Sequence, residues 1–322
     1  MKIVILDGQV ANPGDLDWSA LASQATEGEF HVYPRTAPGE VAERCRGAEA
    51  VFTNKVVLDA ATLAELPSLK FVGVLATGYN NVDTGAARRL GITVCNVPAY
   101  STDSVAQLVM AMLLELTNHV AAYSASVGRG DWQHCEDFSY TLGPITELSG
   151  KTMGIYGMGN IGSRVARIAQ ALGMHVVSPT RKPADSIPAG VEKTSFDDML
   201  RRSDVVSVHC PLSDTTRGQF GAEAFALMKP TAIFINTSRG PVVDEAALAA
   251  ALREGRLGAA AVDVLEHEPP RESSPLIGAP RCIVTPHIAW QSVEARRRLL
   301  QVSADNLAAF LVGKPVNVVN RI

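Results

Sequence analysis

The chain has 322 residues, of which 47% are hydrophobic and 19% are charged, and its formal net charge is −4. This composition is typical of a folded globular protein of about two domains and excludes disordered, collagen-like and coiled-coil chains. With 29 basic and 33 acidic side chains, no basic excess indicates a nucleic acid or an anionic membrane as partner. The five cysteines lack CxxC spacing, which favours reduced thiols in a cytoplasmic protein over a disulfide framework or a zinc site.

Short strands and helices are predicted to alternate from the first residues to position 98. The apolar run at the N-terminus is too short for a signal peptide and predicts a strand instead. Strands that alternate with helices indicate a parallel sheet covered by helices on both faces. The predicted strands are Lys2–Leu6, Val51–Thr53, Phe71–Leu75 and Ile92–Cys95, and the helices between them include Ala60–Leu66 and Thr84–Leu90.

A long amphipathic helix is predicted after Ser101 or Thr102, either of which can cap it. Its apolar residues recur at the three- and four-residue spacing of one helix face. The most apolar stretch, Val105 to Leu114, is too short to span a membrane, so we expect no membrane contact. The apolar stripe consists of Val105, Leu108, Val109, Met112, Leu113 and Leu116.

The alternation restarts at Thr152, which predicts a second parallel sheet and hence an α/β protein with two Rossmann-like domains. A last amphipathic helix ends at the stop signal Gly313-Lys314-Pro315. The predicted strands are Thr152–Tyr156, His175–Ser178, Val205–Val208, Ala232–Asn236, Ala259–Val262 and Cys282–Thr285, and the helices between them include Ile161–Leu172, Phe196–Arg202 and Glu245–Arg253.

A GxGxxG motif, GMGNIG from Gly157 to Gly162, follows one of these strands and opens a helix, which is the context of a dinucleotide-binding loop. Gly157 permits the tight turn, and Gly159 allows the backbone to approach a pyrophosphate at the helix N-terminus. Gly162 allows the helix to pack closely on the strand. The alternative is a glycine-rich turn without a ligand.

The residues after the next strand bear on the choice between NAD and NADP. An NAD site calls for Asp or Glu about 20 residues beyond the glycine motif, where the acid binds the ribose 2′-hydroxyl. This chain has no acid there and reads Ser178-Pro179-Thr180-Arg181-Lys182. Ser178 or Thr180 can hydrogen-bond a 2′-phosphate, and the two cations can neutralise it. The sequence therefore favours NADP(H), with NAD(H) as the second choice and a solvated basic loop as the alternative interpretation.

Two further segments carry groups suited to keto-acid chemistry. Arg239 follows a buried-type strand, where its planar fork can bind a substrate carboxylate or polarise a carbonyl. Hydride transfer to a ketone needs a proton donor, and a histidine held by a carboxylate can serve; His287 and Glu268 are the candidates. The alternatives are a surface salt bridge for Arg239 and a structural role for His287. The sequence predicts no metal site, because no second ligand cluster accompanies Glu266-His267-Glu268.

The order of these motifs resembles the D-isomer-specific 2-hydroxyacid dehydrogenases over essentially the whole chain. The resemblance implies that Arg239, Glu268 and His287 are catalytic and that Asp263 lies beside the nicotinamide amide. The motifs are VGVLATGYNNVD from Val72, GMGNIG from Gly157, HCPLSDTTRG from His209, INTSRGPVVDE from Ile235, AVDVLEHEP from Ala261 and TPHIAW from Thr285. The resemblance also implies substrate contacts at Asn54, Ala76, Thr77, Gly78 and Arg239, and further cofactor contacts at Asn160, Ile161, His209, Cys210, Pro211 and Thr237.

Finer similarity, in Asp137-Phe138-Ser139, in residues 144–152 and in Ala289-Trp290, resembles the bacterial glycerate dehydrogenases, also called hydroxypyruvate reductases. It implies reversible NAD(P)H-dependent reduction of hydroxypyruvate or glyoxylate to the D-2-hydroxy acid, with His287 as the acid/base. Thr180 departs from the Asp that many relatives carry. The alternatives are a dehydrogenase of another 2-hydroxy acid, such as phosphoglycerate, and a dinucleotide-sensing scaffold like the corepressor relatives of this fold.

The resemblance also implies the domain organisation. Residues 1–98 and 290–322 are expected to form a flavodoxin-like substrate domain, into which a dinucleotide-binding Rossmann domain of residues 99–289 is inserted. The reaction is expected in the cleft between the domains. We expect a homodimer formed through the nucleotide-binding domain, by the helix after Ser101 and the aromatic stretch 132–140, with the internal core as the alternative place for both.

Overall fold

The structure is a computed structural model that describes residues 1–321. The backbone divides into two compact units, Met1–Ser101 with the segment that begins at Gln291, and Thr102–Trp290. The first boundary falls three residues after the predicted position 98, because the second unit begins with the first turn of a helix at Thr102, and the second falls one residue after position 289. The functional assignment of the two units stays a prediction.

Parallel β-strands form one sheet in each unit. The first unit contains β1 (Ile3–Ile5), β2 (Phe30–Val32), β3 (Ala50–Thr53), β4 (Phe71–Val74) and β5 (Thr93–Cys95). The second contains β6 (Thr152–Tyr156), β7 (His175–Ser178), β8 (Val191–Lys193), β9 (Val205–Val208), β10 (Ile233–Asn236), β11 (Ala259–Val262) and β12 (Cys282–Val284).

Helices connect these strands in both units. The first unit contains α1 (Gly8–Ala11), α2 (Ser19–Ala22), α3 (Val41–Arg44), α4 (Ala60–Ala64) and α5 (Thr84–Arg89). The second contains α6 (Thr102–Asn118), α7 (Val120–Gly128), α8 (Asn160–Ala171), α9 (Phe196–Arg202), α10 (Ala222–Leu227) and α11 (Glu245–Arg253), and the chain returns to the first unit in α12 (Val293–Leu311). Short 3₁₀ turns occur at Pro38–Glu40, Ala184–Ser186 and Gly240–Val242.

The first sheet has the order β2-β1-β3-β4-β5 with all neighbouring strands parallel, which is the flavodoxin-like order. Its central strands are fully buried, as expected for a parallel sheet that helices cover on both faces. Helix α12 packs against β4, where the rings of Phe310 and Phe71 lie 5.2 Å apart. The strand order reverses between β1 and β3, so the loops after these strands flank a natural ligand crevice.

The second sheet has the order β12-β11-β10-β9-β6-β7-β8, again with all neighbours parallel. This is the doubly wound order of dinucleotide-binding domains, extended by one edge strand. Its order reverses between β6 and β9, which places the glycine motif at the reversal. The predicted α/β fold with two Rossmann-like parallel sheets is therefore confirmed.

The sequence did not predict two of the strands, β2 and β8. Each has only three residues, lies at a sheet edge and is partly exposed, and β8 carries two charged residues. Short edge strands lack the apolar run that marks a buried strand, because one of their sides faces solvent.

The predicted apolar stripe of α6 belongs to the internal core of the second unit. Val105, Val109, Met112 and Leu113 are buried, and the helix packs against α8 and the sheet. The stripe therefore lies in the internal core, which is the alternative that the sequence left open for it. A dimer contact through other residues of this helix stays a prediction. Among the described residues no single helix is long and apolar enough to cross a membrane, although α6 and α7, bent by 57°, pass that test as a pair by length and composition.

Candidate active site and dinucleotide-binding loop

The glycine motif forms a tight turn between β6 and α8. Gly157 has φ +105°, and a Cβ at this position would lie 2.5 Å from the carbonyl carbon of His209. No side chain fits there, so the turn packs directly on the segment that follows β9. This contact lies where the strand order reverses, which is where open α/β sheets bind ligands.

The first turn of α8 provides an anion site. Gly159 is the N-cap and supplies no side-chain cap, so the first-turn N–H groups have no side-chain acceptor within the motif. A Cβ on Gly159 would meet no atom within 4 Å, whereas a Cβ on Gly162 would lie 2.1 Å from the Gly157 carbonyl oxygen. Open space above exposed N–H groups suits a pyrophosphate, and the helix dipole favours its charge. The residues present therefore fit a dinucleotide.

This geometry predicts different effects for alanine substitutions at Gly159 and Gly162. Gly159→Ala is expected to raise the Kd for the dinucleotide about tenfold or more, about 1.4 kcal/mol, with the Tm unchanged, because the methyl group occupies ligand space only. Gly162→Ala is expected to lower the free energy of unfolding by about 1–3 kcal/mol, because the methyl group overlaps backbone. Fluorescence titration and thermal unfolding of both variants measure the two effects. A loss of stability in Gly159→Ala would contradict the assignment.

The loop after β7 differs from the sequence prediction at one residue. Ser178 is fully buried, and its hydroxyl donates a hydrogen bond to the Ile155 carbonyl at 2.8 Å. The expectation that Ser178 binds a 2′-phosphate is therefore wrong, because its hydroxyl serves the neighbouring strand. Thr180 is partly exposed and accepts a hydrogen bond from the Lys182 N–H at 3.2 Å, and the side chains of Arg181 and Lys182 are exposed.

The residues after β9 offer neutral groups. The ring Nε2 of His209 lies 2.8 Å from the Ser207 hydroxyl, and burial lowers the pKa of His209 to about 3. Burial also raises the pKa of the Cys210 thiol to about 11. Both groups are therefore uncharged near neutral pH. At the end of β10, the buried Thr237 hydroxyl has no hydrogen-bond partner among the described residues, which leaves it for a ligand.

The Arg239 loop is held by the side chain of Asn236. Its Oδ1 accepts hydrogen bonds from the Ser238 N–H (2.9 Å) and hydroxyl (2.8 Å), and its Nδ2 donates to the Arg239 carbonyl at 3.0 Å. The exposed Arg239 side chain donates from Nη1 to the Ser238 carbonyl at 2.7 Å. A Cβ on Gly240 would lie 1.9 Å from the Leu265 carbonyl oxygen, so this loop packs directly on the segment that leads to Glu268.

His287 and Glu268 form the predicted pair. Nδ1 of His287 lies 2.6 Å from Oε2 of Glu268, and their side chains are 26% and 33% exposed. Oε1 of Glu268 accepts a hydrogen bond from the Leu265 N–H at 2.9 Å, which fixes the carboxylate. Because a carboxylate faces Nδ1, that nitrogen carries a proton and Nε2 is the nitrogen that can exchange one.

The backbone of His287 is held by Asp263, a role that the sequence did not reveal. Both oxygens of this buried carboxylate accept hydrogen bonds at 2.8 Å, Oδ1 from the Ile288 N–H and Oδ2 from the Ala289 N–H. Oδ1 also accepts from the Thr285 hydroxyl at 2.5 Å, and the Asp263 carbonyl accepts from the His287 N–H at 2.9 Å. Burial raises the pKa of Asp263. These bonds hold His287 at φ +55°, an uncommon conformation outside glycine.

In the first unit, Asn54 lies directly after β3 and is held by Asp7, which follows β1. The buried Asp7 carboxylate accepts hydrogen bonds from the N–H groups of Asn54 (2.7 Å) and Lys55 (2.6 Å). The amide of Asn54 donates to the Leu75 carbonyl at 2.6 Å, which ties it to the loop of Ala76, Thr77 and Gly78. Asp7 was not predicted, because nothing in the local sequence shows which loop it supports.

Comparison with known proteins identifies the family. The sequence model of the D-isomer specific 2-hydroxyacid dehydrogenase NAD binding domain matches residues 110–289, more than half of the chain. Hydroxypyruvate reductase of Blautia hydrogenotrophica is 43% identical over 100% of both chains. Glycerate dehydrogenase of Methylorubrum extorquens is 42% identical over 90% of this chain and 92% of its own. The protein belongs to the D-isomer-specific 2-hydroxyacid dehydrogenases.

A solved structure of the same architecture bears on the cofactor. An acyclic imino acid reductase in complex with NADPH and D-Arg superposes with a TM-score of 0.86 at 28% identity, covering 99% of this chain and 100% of its own. The matched family domain binds NAD. The cofactor of this protein is thus a nicotinamide dinucleotide.

Proposed function

We propose that this protein reduces small 2-keto acids, hydroxypyruvate to D-glycerate or glyoxylate to glycolate, and runs the reverse reactions. The observation that carries the proposal is the 2.6 Å hydrogen bond between His287 and Glu268, beside a loop that presents Arg239. The names of the full-length relatives, a hydroxypyruvate reductase and a glycerate dehydrogenase, agree with this substrate class.

When bound, the reduced dinucleotide supplies a hydride to the C2 carbonyl carbon of the keto acid. His287 donates its Nε2 proton to the C2 oxygen, which becomes the hydroxyl group. Glu268 holds the imidazole through Nδ1 and stabilises its protonated form before the transfer. Arg239 binds the substrate carboxylate and polarises the carbonyl. In the reverse direction the neutral Nε2 takes the hydroxyl proton.

The proposed substrate contacts of the first unit are Asn54, Ala76, Thr77 and Gly78. Backbone N–H groups of the loop 76–78 suit a carboxylate. The Oδ1 atom of Asn54 is buried, and no described residue donates a hydrogen bond to it. A buried acceptor without a donor is costly, and the C3 hydroxyl of hydroxypyruvate can supply the donor whereas glyoxylate cannot. This favours hydroxypyruvate.

A panel of 2-keto acids with NADH and with NADPH tests the function. We expect kcat/KM for hydroxypyruvate to exceed that for glyoxylate about tenfold, the effect of one such hydrogen bond of roughly 1.4 kcal/mol. Asn54→Ala is expected to reduce this ratio toward one. Activity confined to phosphoglycerate would support a dehydrogenase of that other 2-hydroxy acid. If no acid leads to oxidation of the cofactor, the dinucleotide-sensing scaffold would be supported instead. An unchanged ratio in Asn54→Ala would remove Asn54 from the substrate site.

We also propose that the enzyme prefers NADPH. With Ser178 committed to Ile155, the groups left for a 2′-phosphate are Thr180, Arg181 and Lys182. No carboxylate follows β7 directly to bind the 2′-hydroxyl and repel a phosphate. One charge-assisted hydrogen bond of about 1.5–3 kcal/mol gives a preference of about tenfold or more.

Thr180→Asp tests this preference. The substitution is expected to reverse the order of kcat/KM for NADPH and NADH, because the carboxylate accepts from the 2′-hydroxyl and repels the phosphate. Added salt should weaken NADPH binding more than NADH binding, since only NADPH uses the ion pair. Equal constants for both cofactors in the native enzyme, unaffected by Arg181→Ala and Lys182→Ala, would show that this loop stays solvated.

We propose a homodimer formed through the stretch 132–140 of the second unit. Phe138 is 90% exposed and Trp132 53% exposed, and the neighbouring Val120, Leu142 and Ile145 are exposed as well. A cluster of large exposed apolar side chains is typical of an interface. Sedimentation equilibrium should give twice the chain mass of 34.2 kDa and, for Phe138→Asp, the chain mass itself.

A further inference from the structure

The segment that carries Glu268 is an exposed loop between two buried ends. Residues 266–273 are all exposed, whereas Leu265 before them and Ser274 after them are buried. Exposed loops have few packing contacts and are mobile unless hydrogen bonds restrain them. The position of Glu268 therefore depends on what anchors the two ends of this loop.

A single buried carboxylate bridges both ends. Glu245, in the first turn of α11, is 9% exposed. Its Oε1 accepts a hydrogen bond from the Glu266 N–H at 2.6 Å, and its Oε2 accepts one from the Ser274 hydroxyl at 2.5 Å. Helix α11 adds a third anchor, since Arg253 donates to the Pro275 carbonyl at 3.1 Å.

The near end of the loop is also where the Arg239 loop packs. The missing side chain of Gly240 lets that loop touch the Leu265 carbonyl and the Glu266 nitrogen. The Glu266 N–H that Glu245 binds thus lies at the junction of the segments that carry Arg239 and Glu268. Displacement of this peptide would move both.

We propose that Glu245 is a positioning residue of the reaction: it fixes the loop that carries Glu268 and through it the tautomer and orientation of the His287 ring. The kinetic consequences of this inference rest on the proposed function. Its effect on the tautomer and orientation of the His287 ring does not. Glu245 touches neither substrate nor cofactor in this role. A displacement of about 1 Å at a reacting group can cost up to about 100-fold in rate, which sets the scale of the expected effect.

Kinetics of three variants test the proposal. Glu245→Ala is expected to lower kcat about tenfold or more, with KM for the keto acid and Kd for NADPH little changed. Glu245→Gln keeps the acceptor for the Glu266 N–H and should retain most of the kcat. Glu254→Ala, which removes an exposed glutamate of an ion pair with Arg256 just after the same helix, is the matched control and should match the native enzyme.

A double-mutant cycle separates positioning from general stabilisation. If Glu245 acts through Glu268, then Glu245→Ala costs little further kcat in a Glu268→Gln background, because the group that it positions is already lost. If the loss of kcat in the double variant equals the product of the losses in the two single variants, the proposal is overturned. So would a native-like kcat for Glu245→Ala.

A second measurement does not depend on turnover. Long-range proton–nitrogen correlation spectra of the histidine rings report the tautomer of His287, with its signals assigned by their loss in His287→Ala. We expect the neutral ring to carry its proton on Nδ1 in the native protein and in Glu245→Gln, and to populate the Nε2 tautomer in Glu245→Ala. An unchanged tautomer in Glu245→Ala overturns the proposal. A native protein that reduces no keto acid would instead refute the proposed function and leave this readout intact.

Discussion

Replacement of His287 by alanine is expected to lower kcat for keto-acid reduction about 100-fold or more, the usual contribution of general acid catalysis. The dinucleotide Kd should stay close to the native value. The glycine loop and α8 lie on one side of the point where the strand order of the second sheet reverses, and β11 and β12 lie on the other. Stopped-flow turnover with hydroxypyruvate and NADPH measures the first quantity, and fluorescence titration measures the second.

The chain offers a matched control for this variant. His267 is an exposed histidine directly before Glu268. His267→Ala should turn over like the native enzyme, since no step of the proposed mechanism uses its ring. Near-native turnover in His287→Ala, or equal losses in the two variants, would remove His287 from the proton-transfer step.

Arg239→Lys is expected to produce the second large effect. A lysine keeps the charge but offers a point donor in place of the planar fork that binds a carboxylate through two bonds. Loss of one charge-assisted hydrogen bond of about 1.5–3 kcal/mol lowers kcat/KM for the keto acid about 10- to 150-fold. Dinucleotide affinity should change little, because the Asn236 hydrogen bonds that shape the loop reach only its backbone and Ser238.

Arg256→Lys is the control for this substitution, because Arg256 is exposed and forms a surface ion pair with Glu254. It should behave like the native enzyme in both assays. A parallel loss of keto-acid use and dinucleotide affinity in Arg239→Lys would show that Arg239 supports the cofactor loop, not the substrate.

Much of this fold was accessible from sequence because its signals are local and strong. Buried parallel strands are short apolar runs, and the helices between them carry local start signals. Several helices begin with an N-cap side chain that accepts a backbone hydrogen bond, at Asp59, Asp83, Ser195, Asp244 and Ser292. The GxGxxG motif is likewise read from its spacing and context. His287 and Glu268 were identified as candidates, but only the structure shows the hydrogen bond between them.

The parts that sequence did not reveal depend on contacts between distant segments. Ser178 looked available for a phosphate because its strand partner, the Ile155 carbonyl, lies 23 positions away in the chain. Asp7, Asp263 and Glu245 each hold a functional loop through backbone N–H groups, which every non-proline residue possesses, so no residue pattern marks the partner. The stripe of α6 has the same periodicity whether it faces its own core or a second subunit.

The most direct test of the central claim is the configuration of the product. Incubated with hydroxypyruvate and NADPH, the native protein should form glycerate in amounts equal to the NADPH oxidised, and chiral chromatography should show the D-enantiomer alone. His287→Ala should form the same enantiomer far more slowly. Formation of L-glycerate, of a racemic mixture, or of no glycerate would contradict the assignment of this protein as a D-specific 2-keto acid reductase.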